Sequence, residues 1–259
     1  MEPRQQSRHS PLALAERLFI SPPLCCGLIA MHIGVVLLLD RDASAGGQAL
    51  LGLATWAVLA LGCRSVDRTE QARIVAVVIV ATCGEIIGSI VWGLYTYRLD
   101  NLPLFVPPGH GLIYLCGLRM ATSRFVRAHR QAVIRAALAV GAAWAIAGLT
   151  VTGRTDVLGA LAMAALGWFL IRGRAPTVFA GVFLAVGLLE LYGTAVGAWR
   201  WAPEVPGLGM PAGNPPSGIA SGYCLFDALA IAIGPALLRL AGSPSRWLIR
   251  RRVAAACET

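Results

Sequence analysis

The sequence predicts an all-α bundle of membrane-spanning helices, and three observations lead to that fold class. Of the 259 residues, 57 % are apolar and only 14 % are charged, which is too apolar for an ordinary soluble domain. The apolar residues gather into runs long enough to cross about 30 Å of hydrocarbon. The basic residues, all of them arginine, fall in short clusters between those runs. We therefore expect a polytopic membrane protein surrounded by a lipid bilayer.

Eight apolar runs are predicted to be transmembrane helices, at a rise of about 1.5 Å per residue. They cover residues 22–39, 48–63, 74–94, 109–126, 132–150, 156–171, 177–198 and 217–238. The second and sixth runs are short, and the fourth contains Arg119. No small-residue cleavage site follows the first run, so we expect it to remain as an uncleaved anchor.

The arginines distinguish the two faces of the predicted bundle. Eight spans place successive loops on alternate sides of the membrane, and 18 of the 22 arginines then fall on one side. The other side has Arg41, Arg98, Arg154 and Arg200. Because basic loops stay in the cytoplasm, both termini are predicted to be cytoplasmic, in an inner membrane of the bacterial type. The net charge of +9 follows from this orientation, and we expect no nucleic-acid partner.

The most specific feature of the sequence is an internal repeat. The pattern Glu85-Ile-Ile-Gly88-Ser89, Gly93-x-Tyr95-x-Tyr97, Pro107-Pro108 recurs as Glu190-Leu-Tyr-Gly193-Thr194, Gly197-x-Trp199-x-Trp201, Pro215-Pro216. The offset is 105 residues at the glutamates and 104 at the aromatic pairs. Four spans per copy predict parallel repeats related by an axis along the membrane normal. The predicted parts are an N-terminal cytoplasmic segment, two four-span repeats and a basic cytoplasmic tail, at 1–21, 22–126, 127–239 and 240–259.

Four ionisable residues lie inside the predicted hydrocarbon. Counting from the outer ends of their spans places them about 15 Å deep, at the membrane midplane. They are Glu85, Glu190, Asp227 and Arg119. A charge at that depth costs about 2.5 kcal/mol or several times more, so such residues usually face a protein interior and mark a functional path.

These four residues are the candidate catalytic set. Arg119 and Asp227 occupy matching positions in the two repeats and are expected to form a buried ion pair, unless Arg119 extends to the cytoplasmic face. Three carboxyls and one guanidinium leave at least one acid without a cation, so that acid is expected to be neutral and able to give up a proton. Glu85 and Glu190 are the candidate proton donor and acceptor. The alternative is that both glutamates serve only helix packing.

The candidate substrate-binding residues are Trp92, Tyr95, Tyr97, His110, Trp199, Trp201, Asn214 and His32. The aromatic side chains either anchor the helices in the headgroup layer or face a cationic intermediate. The two histidines are either ligand contacts or ordinary packing residues. No metal-binding or nucleotide-binding motif is present, the seven cysteines contain no CxxC pair, and the absence of lysine excludes a Schiff base. We expect neither a metal nor a cofactor.

One stretch of the first repeat resembles a known family. The residues Glu85-x-x-Gly88, Gly93-x-Tyr95-x-Tyr97, Pro103 and Pro107 resemble the membrane carotenoid-biosynthesis proteins of the carotenoid-hydratase type. The duplicated, glutamate-bearing group of spans is also similar to the small membrane lycopene cyclases. Both resemblances imply the addition of a proton to a polyene by a buried acid, with Glu85 and Glu190 as the candidates.

Three functions from different classes remain open at the level of sequence. The first is an acid-catalysed hydration, cyclisation or isomerisation of an isoprenoid-like lipid, the work of a lyase or an isomerase. The second is a proton-coupled carrier of a small solute, because parallel repeats around a midplane carboxylate also suit alternating access. The third is a non-catalytic lipid-binding or assembly protein. The sequence predicts no particular oligomeric state.

Overall fold

The computed structural model describes the backbone of residues 18–256 and the side chains of residues 18–239. In that part of the chain the protein is an all-α helical bundle, as predicted. Its helices are α1 Pro22–Asp40, α2 Ala45–Cys63, α3 Arg68–Glu85, α4 Val106–Thr122, α5 Arg124–Ala128, α6 Arg130–Thr150, α7 Val157–Arg172, α8 Pro176–Val196 and α9 Ala220–Ala256. Residues 1–17 of the predicted N-terminal segment, and the side chains of the predicted basic tail, lie outside the described residues.

Six helices in the described part are long and apolar enough to cross a membrane. They are α1, α2, α3 with its extension to Val91, α6, α8 and the Ala220–Arg239 part of α9. Helix α7 is apolar but has only 16 residues, and α4 has 17. This set of apolar helices is that of a membrane protein.

Local sequence signals explain where the first three helices begin. Prolines Pro22 and Pro23 occupy the first turn of α1, where their missing N–H groups cost nothing. The Ser44 side chain accepts a hydrogen bond from the N–H of Gly47 at the start of α2. The Asp67 carboxylate accepts two backbone N–H groups at the start of α3. Such caps contribute about 1 kcal/mol each to helix stability.

Four helices form the centre of the bundle. Helix α3 packs along α9, and α4 packs along α8. Helices α1 and α2 lie against α4. Helix α6 lies against α8, and α7 lies against α9. Glycines allow the close approach, because a Cβ on Gly84 would overlap the ring of Phe226 and one on Gly117 would overlap Val182. The central helices therefore come close enough to share one interior.

Short strands, which the sequence analysis did not predict, close one end of the bundle. Strand β1 Tyr95–Tyr97 pairs antiparallel with β2 Trp199–Trp201, and β3 Glu204–Val205 pairs antiparallel with β4 Met210–Pro211. This is the end that the arginine distribution assigns to the outer face. Tyr97, Trp199 and Trp201 are buried, so the first pair of strands lies over the helices and not in solvent.

A buried aspartate holds the loop between α8 and α9. The Asp156 carboxylate caps α7 through the N–H of Gly159 at 2.9 Å. It also accepts the N–H groups of Gly213 at 2.8 Å and Ser217 at 2.7 Å. The Gln48 side chain of α2 makes comparable contacts with the loop before α4, because it donates to Asp40 and accepts from Asn101. These contacts hold both loops against the helix ends.

Candidate functional site

The Glu85 carboxylate is buried and has three side-chain hydrogen-bond partners. Its Oε2 accepts the hydroxyl groups of Tyr95 at 2.6 Å and Tyr97 at 2.7 Å. Its Oε1 lies 2.9 Å from Nε2 of His110. Only 6 % of Glu85 is exposed. A buried carboxyl with a histidine partner of this kind can exchange a proton with it.

The Glu190 carboxylate has a different set of partners. Its Oε2 accepts the indole N–H groups of Trp199 at 2.9 Å and Trp201 at 3.1 Å. The Tyr223 hydroxyl lies beside the same carboxyl. An indole N–H is a donor only and accepts no proton. The two tryptophans therefore stabilise a carboxylate, whereas the histidine at Glu85 can take part in proton transfer.

Glycines let the aromatic strands fold back onto the two glutamates. Gly93 and Gly197 have positive φ angles of 73° and 79°, a conformation that turns the chain sharply at the end of each helix. A Cβ on Gly193 would overlap the ring of Trp199, and one on Gly88 would lie 3.1 Å from the Tyr95 hydroxyl oxygen. The recurring glycines thus provide the space in which each ring reaches its carboxyl.

The one-residue difference between the two copies appears as a change of helix type. Ten residues separate Glu85 from Tyr95, but nine separate Glu190 from Trp199. Directly after Glu85 the chain is π-helical over Ile86–Val91. A π-helical turn accommodates one additional residue, and such turns are frequent at functional sites.

The paired strands connect the two carboxyl sites. Tyr95 lies opposite Trp201, and Tyr97 lies opposite Trp199. The ring centroids of Tyr95 and Trp201 are 4.6 Å apart, and those of Tyr97 and Trp199 are 6.1 Å apart. The four rings form an aromatic layer, defined by Tyr95, Tyr97, Trp199 and Trp201. Both glutamates are hydrogen-bonded to this layer.

A cavity of about 200 Å³ lies beneath the aromatic layer. Both glutamates line it, and His110 does so while stacked on Tyr223 with the ring centroids 4.6 Å apart. The remaining wall is mostly apolar, with Val36, Leu37, Phe105, Ile113, Leu189 and Phe226 among its residues. The cavity therefore combines proton-exchanging groups with a lining suited to an apolar ligand.

The structure brings together most of the residues that the sequence predicts for the site. The cavity is lined by Glu85, Glu190, Tyr95, Tyr97, His110, Trp199, Trp201 and His32. The His32 Nε2 lies 3.1 Å from the Thr55 hydroxyl. Trp92 and Asn214 do not line this cavity. The Trp92 indole donates to the Pro206 carbonyl at 3.0 Å, and the Asn214 side chain accepts the N–H of Trp201 at 2.9 Å.

The ion pair expected between Arg119 and Asp227 is not formed. The Arg119 guanidinium donates to the backbone oxygen of Ser65 at 2.7 Å and to its hydroxyl at 2.8 Å. Helix α4 begins at Val106 and ends at Thr122, so Arg119 lies in its last turn and not at its centre. From there the side chain reaches Ser65, in the loop between α2 and α3. Asp227 is 3 % exposed, and its Oδ2 has no hydrogen-bond partner.

Tyr223 is a site residue that the sequence analysis missed. It lies four residues before Asp227 in the last helix, and therefore on the same helix face. The spacing of four residues could have identified Tyr223 from the sequence, because it places the tyrosine hydroxyl on the face of α9 that carries the Asp227 carboxyl.

The two tyrosines of β1 keep their protons in this environment. Burial, together with the neighbouring Glu85 carboxylate, raises the pKa of Tyr95 and Tyr97 above the ordinary value for tyrosine. Both phenols remain hydrogen-bond donors to Glu85 over the whole physiological range of pH.

Among the described residues, no three His, Cys, Asp or Glu side chains form a group that fits a metal ion. Comparisons of this chain with protein-family models, with curated proteins and with solved structures found no match.

Proposed function

We propose that the chain is a multi-pass protein of a bacterial-type inner membrane, with eight spans in two parallel four-span repeats and both termini in the cytoplasm. The 16 and 17 residues of α7 and α4 are near the shortest length that crosses the bilayer, and these two helices complete the eight. The arginine distribution supports the orientation.

The strand register supports the repeat. Thr96 lies opposite Arg200, and these residues are equivalent at the offset of 104. The flanking hydrogen bonds are also equivalent, since the Arg98 N–H donates to Ala198 and the Ala202 N–H donates to Leu94. A local twofold axis through the pair of strands relates one glutamate site to the other. Parallel repeats place such an axis along the membrane normal.

The proposed activity is acid-catalysed hydration, cyclisation or isomerisation of an apolar, isoprenoid-like lipid. The observation that carries it is the 2.9 Å contact between Glu85 and His110 at the wall of an apolar cavity. A cavity of about 150 Å³ holds a benzene-sized molecule, so this one admits a segment of a polyene while the remainder of the substrate lies outside it. In the first step, the proton shared by Glu85 and His110 is added to one carbon of a double bond. The electron pair of that double bond forms the new C–H bond and leaves a carbocation on the other carbon.

The surroundings of Glu190 suit the second part of the reaction. Held by two indole N–H groups, its carboxylate stabilises a positive charge in the cavity. The faces of the aromatic layer add cation–π attraction of about 0.5–2 kcal/mol each. In one outcome, water attacks the carbocation and gives one of its protons back to the Glu85–His110 pair. In the second, another double bond of the substrate attacks the carbocation to close a ring, and the new cation loses a proton to the same pair. In the third, the first carbocation loses a proton from a neighbouring carbon to that pair. The three outcomes are hydration, cyclisation and isomerisation.

Deuterium incorporation tests this function. The purified protein is incubated in deuterated water with an acyclic polyene in detergent micelles, and the products are analysed by mass spectrometry. Wild-type protein is expected to form a product with deuterium on carbon, and Glu85→Gln is expected to lower the rate by about 100-fold or more. The matched control is Glu204→Gln, at an exposed position of β3. Undiminished turnover in Glu85→Gln, or a product without deuterium, contradicts the proposal.

One observation favours a second candidate, a proton-coupled carrier of a small solute. The regular α-helix of α3 ends at Glu85 and continues as the π-helical segment Ile86–Val91. An interrupted helix beside a buried carboxylate is a recurring feature of secondary transporters. Proton flux into liposomes that depends on an added solute favours this candidate over the enzyme.

A further inference from the structure

Polar side chains continue below the cavity, toward the arginine-rich face of the bundle. His110 of α4 and Tyr223 of α9 stack on each other at the cavity wall. One helical turn further along the same two helices are Tyr114 and Asp227. Residues four apart on a helix lie about 5–6 Å from each other on one face. Two polar pairs therefore lie one above the other between α4 and α9.

The lower pair reaches groups at the end of the bundle. The Tyr114 hydroxyl donates to Oε2 of Glu70 at 3.2 Å, and it is close enough to Asp227 to be affected by the charge of that carboxyl. Glu70 is also paired with Arg73. Both side chains are partly exposed, at 17 % and 28 %, in the first turns of α3. The polar groups thus extend from the cavity to the bundle surface.

Asp227 has no other evident role in the fold. Its Oδ2 is buried without a hydrogen-bond partner, and the ion pair expected with Arg119 is absent. The titratable groups near it are Tyr114 on α4, Cys224 on its own helix, and Glu70 with Arg73 beyond Tyr114. An unpaired buried carboxyl is costly in a membrane protein and is typical of a proton pathway.

We propose that Asp227 and Tyr114 conduct protons between the cavity and the cytoplasmic face, with Glu70 at the cytoplasmic end. Each step moves one proton from one oxygen or nitrogen to the next, and bound water bridges the gaps of one helical turn. The proposal takes from the proposed function only the assignment of this face to the cytoplasm. It applies equally to an enzyme that needs a proton supply and to a proton-coupled carrier.

Infrared difference spectroscopy on oriented proteoliposomes tests the pathway. The pH is changed rapidly on the face that carries the start of α3. The infrared carboxyl band of the cavity glutamates is then followed in time. The variants Glu85→Gln and Glu190→Gln assign this band to its residue. We expect Asp227→Asn and Tyr114→Phe to slow the response by about tenfold or more. Asp227→Glu, which keeps a titratable group, is expected to retain a rapid response. Asp42→Asn, an exposed aspartate on the opposite face, is the matched control.

The outcomes separate this proposal from the proposed chemistry. A wild-type band that follows only the pH of the opposite face overturns the pathway, as does a band that does not respond to this face at all. Equal rates in wild type, Asp227→Asn and Tyr114→Phe overturn it too. Tyr114→Phe removes a single oxygen, so it provides the result if Asp227→Asn does not fold. A protein that shows the pathway but incorporates no deuterium into a polyene refutes the proposed reaction alone.

Discussion

Nε2 of His110, on α4, lies 2.9 Å from Oε1 of Glu85, at the end of α3. Both residues line the same apolar cavity. The other oxygen of Glu85 is occupied by two phenol hydroxyls, so His110 is the partner through which the carboxyl can gain or lose a proton. This contact distinguishes Glu85 from Glu190, whose tryptophan partners only donate.

Replacing His110 by glutamine tests the distinction. His110→Gln keeps a hydrogen-bonding side chain but removes the titratable imidazole, so we expect turnover (kcat) to fall by about 100-fold with a smaller change in KM. Steady-state kinetics with the proposed polyene substrate measure both constants. His32→Gln is the comparison, since His32 lines the cavity without contacting a glutamate, and its main effect is expected on KM. Equal losses of kcat in the two variants contradict the assignment.

The Trp199 indole is expected to stabilise the fold through Glu190. Trp199→Phe removes the N–H that donates to the buried carboxyl at 2.9 Å. Leaving that oxygen with one donor fewer should lower the free energy of unfolding by about 1–3 kcal/mol. Unfolding in detergent measures the change. Trp168→Phe is the control, because Trp168 is 60 % exposed on the outside of the bundle, and it is expected to change stability by less than about 0.5 kcal/mol.

Gly193 is expected to tolerate no side chain. A Cβ at this position would overlap the Trp199 ring, so Gly193→Ala should displace the ring from Glu190 and destabilise the protein by about 1–3 kcal/mol. Gly27→Ala, in α1, has no neighbour within 4 Å of the added carbon and is expected to be neutral or slightly stabilising. Equal thermal stability of the two variants would show that Trp199 does not lie against α8.

The Asp156 carboxylate should control the order of the loop that contains β3 and β4. Asp156→Asn replaces one acceptor oxygen by an amide, so at least one of the three backbone N–H groups loses its partner. Hydrogen exchange at Gly213 and Ser217 is expected to accelerate by about tenfold, whereas helix amides such as those of α8 keep their protection. Unchanged exchange at both positions rules out this anchor.

Alkaline pH should destabilise the aromatic layer through its two tyrosines. Their pKa values are raised in the folded protein, so the stabilisation is fully present below the ordinary pKa of about 10 and is lost as the pH rises toward the folded value. Tyr97→Phe is expected to show a smaller loss of stability above about pH 10 than wild type. Unfolding measured as a function of pH makes the comparison. If Tyr97→Phe lost stability more steeply than wild type as the pH rises, the predicted direction of the pH effect would be contradicted.

The sequence is informative wherever a pattern repeats. The recurring glutamates, glycines and aromatic pairs identified both carboxyls of the cavity and the aromatic layer, because the same backbone turn brings each pair of rings onto its glutamate. Even the change in offset from 105 to 104 has a structural counterpart, the π-helical turn after Glu85. The strands could not be predicted from the sequence, because three residues are too few to show an alternating pattern.

The sequence analysis wrongly predicted an ion pair between Arg119 and Asp227 because it placed them at the same depth. Depth was counted from an assumed helix start, but α4 begins three residues earlier than its predicted span. The long arginine side chain then finds oxygens at the helix end, leaving the short aspartate side chain without that partner. Side-chain length and helix boundaries decided this contact, and neither follows from the offset between repeats.

The central claim is that the two glutamate sites share one cavity because β1 and β2 pair over it. Disulfide formation between Thr96→Cys and Arg200→Cys, in a background without the native cysteines, tests it most directly. The two positions are directly opposite and exposed, and opposite residues of an antiparallel pair have Cα atoms about 5.5 Å apart, which suits a disulfide. Rapid and nearly complete crosslinking within one chain, seen as a mobility shift, is the predicted result. Crosslinking no faster than that of a Thr96→Cys, Asp42→Cys control would contradict a shared site.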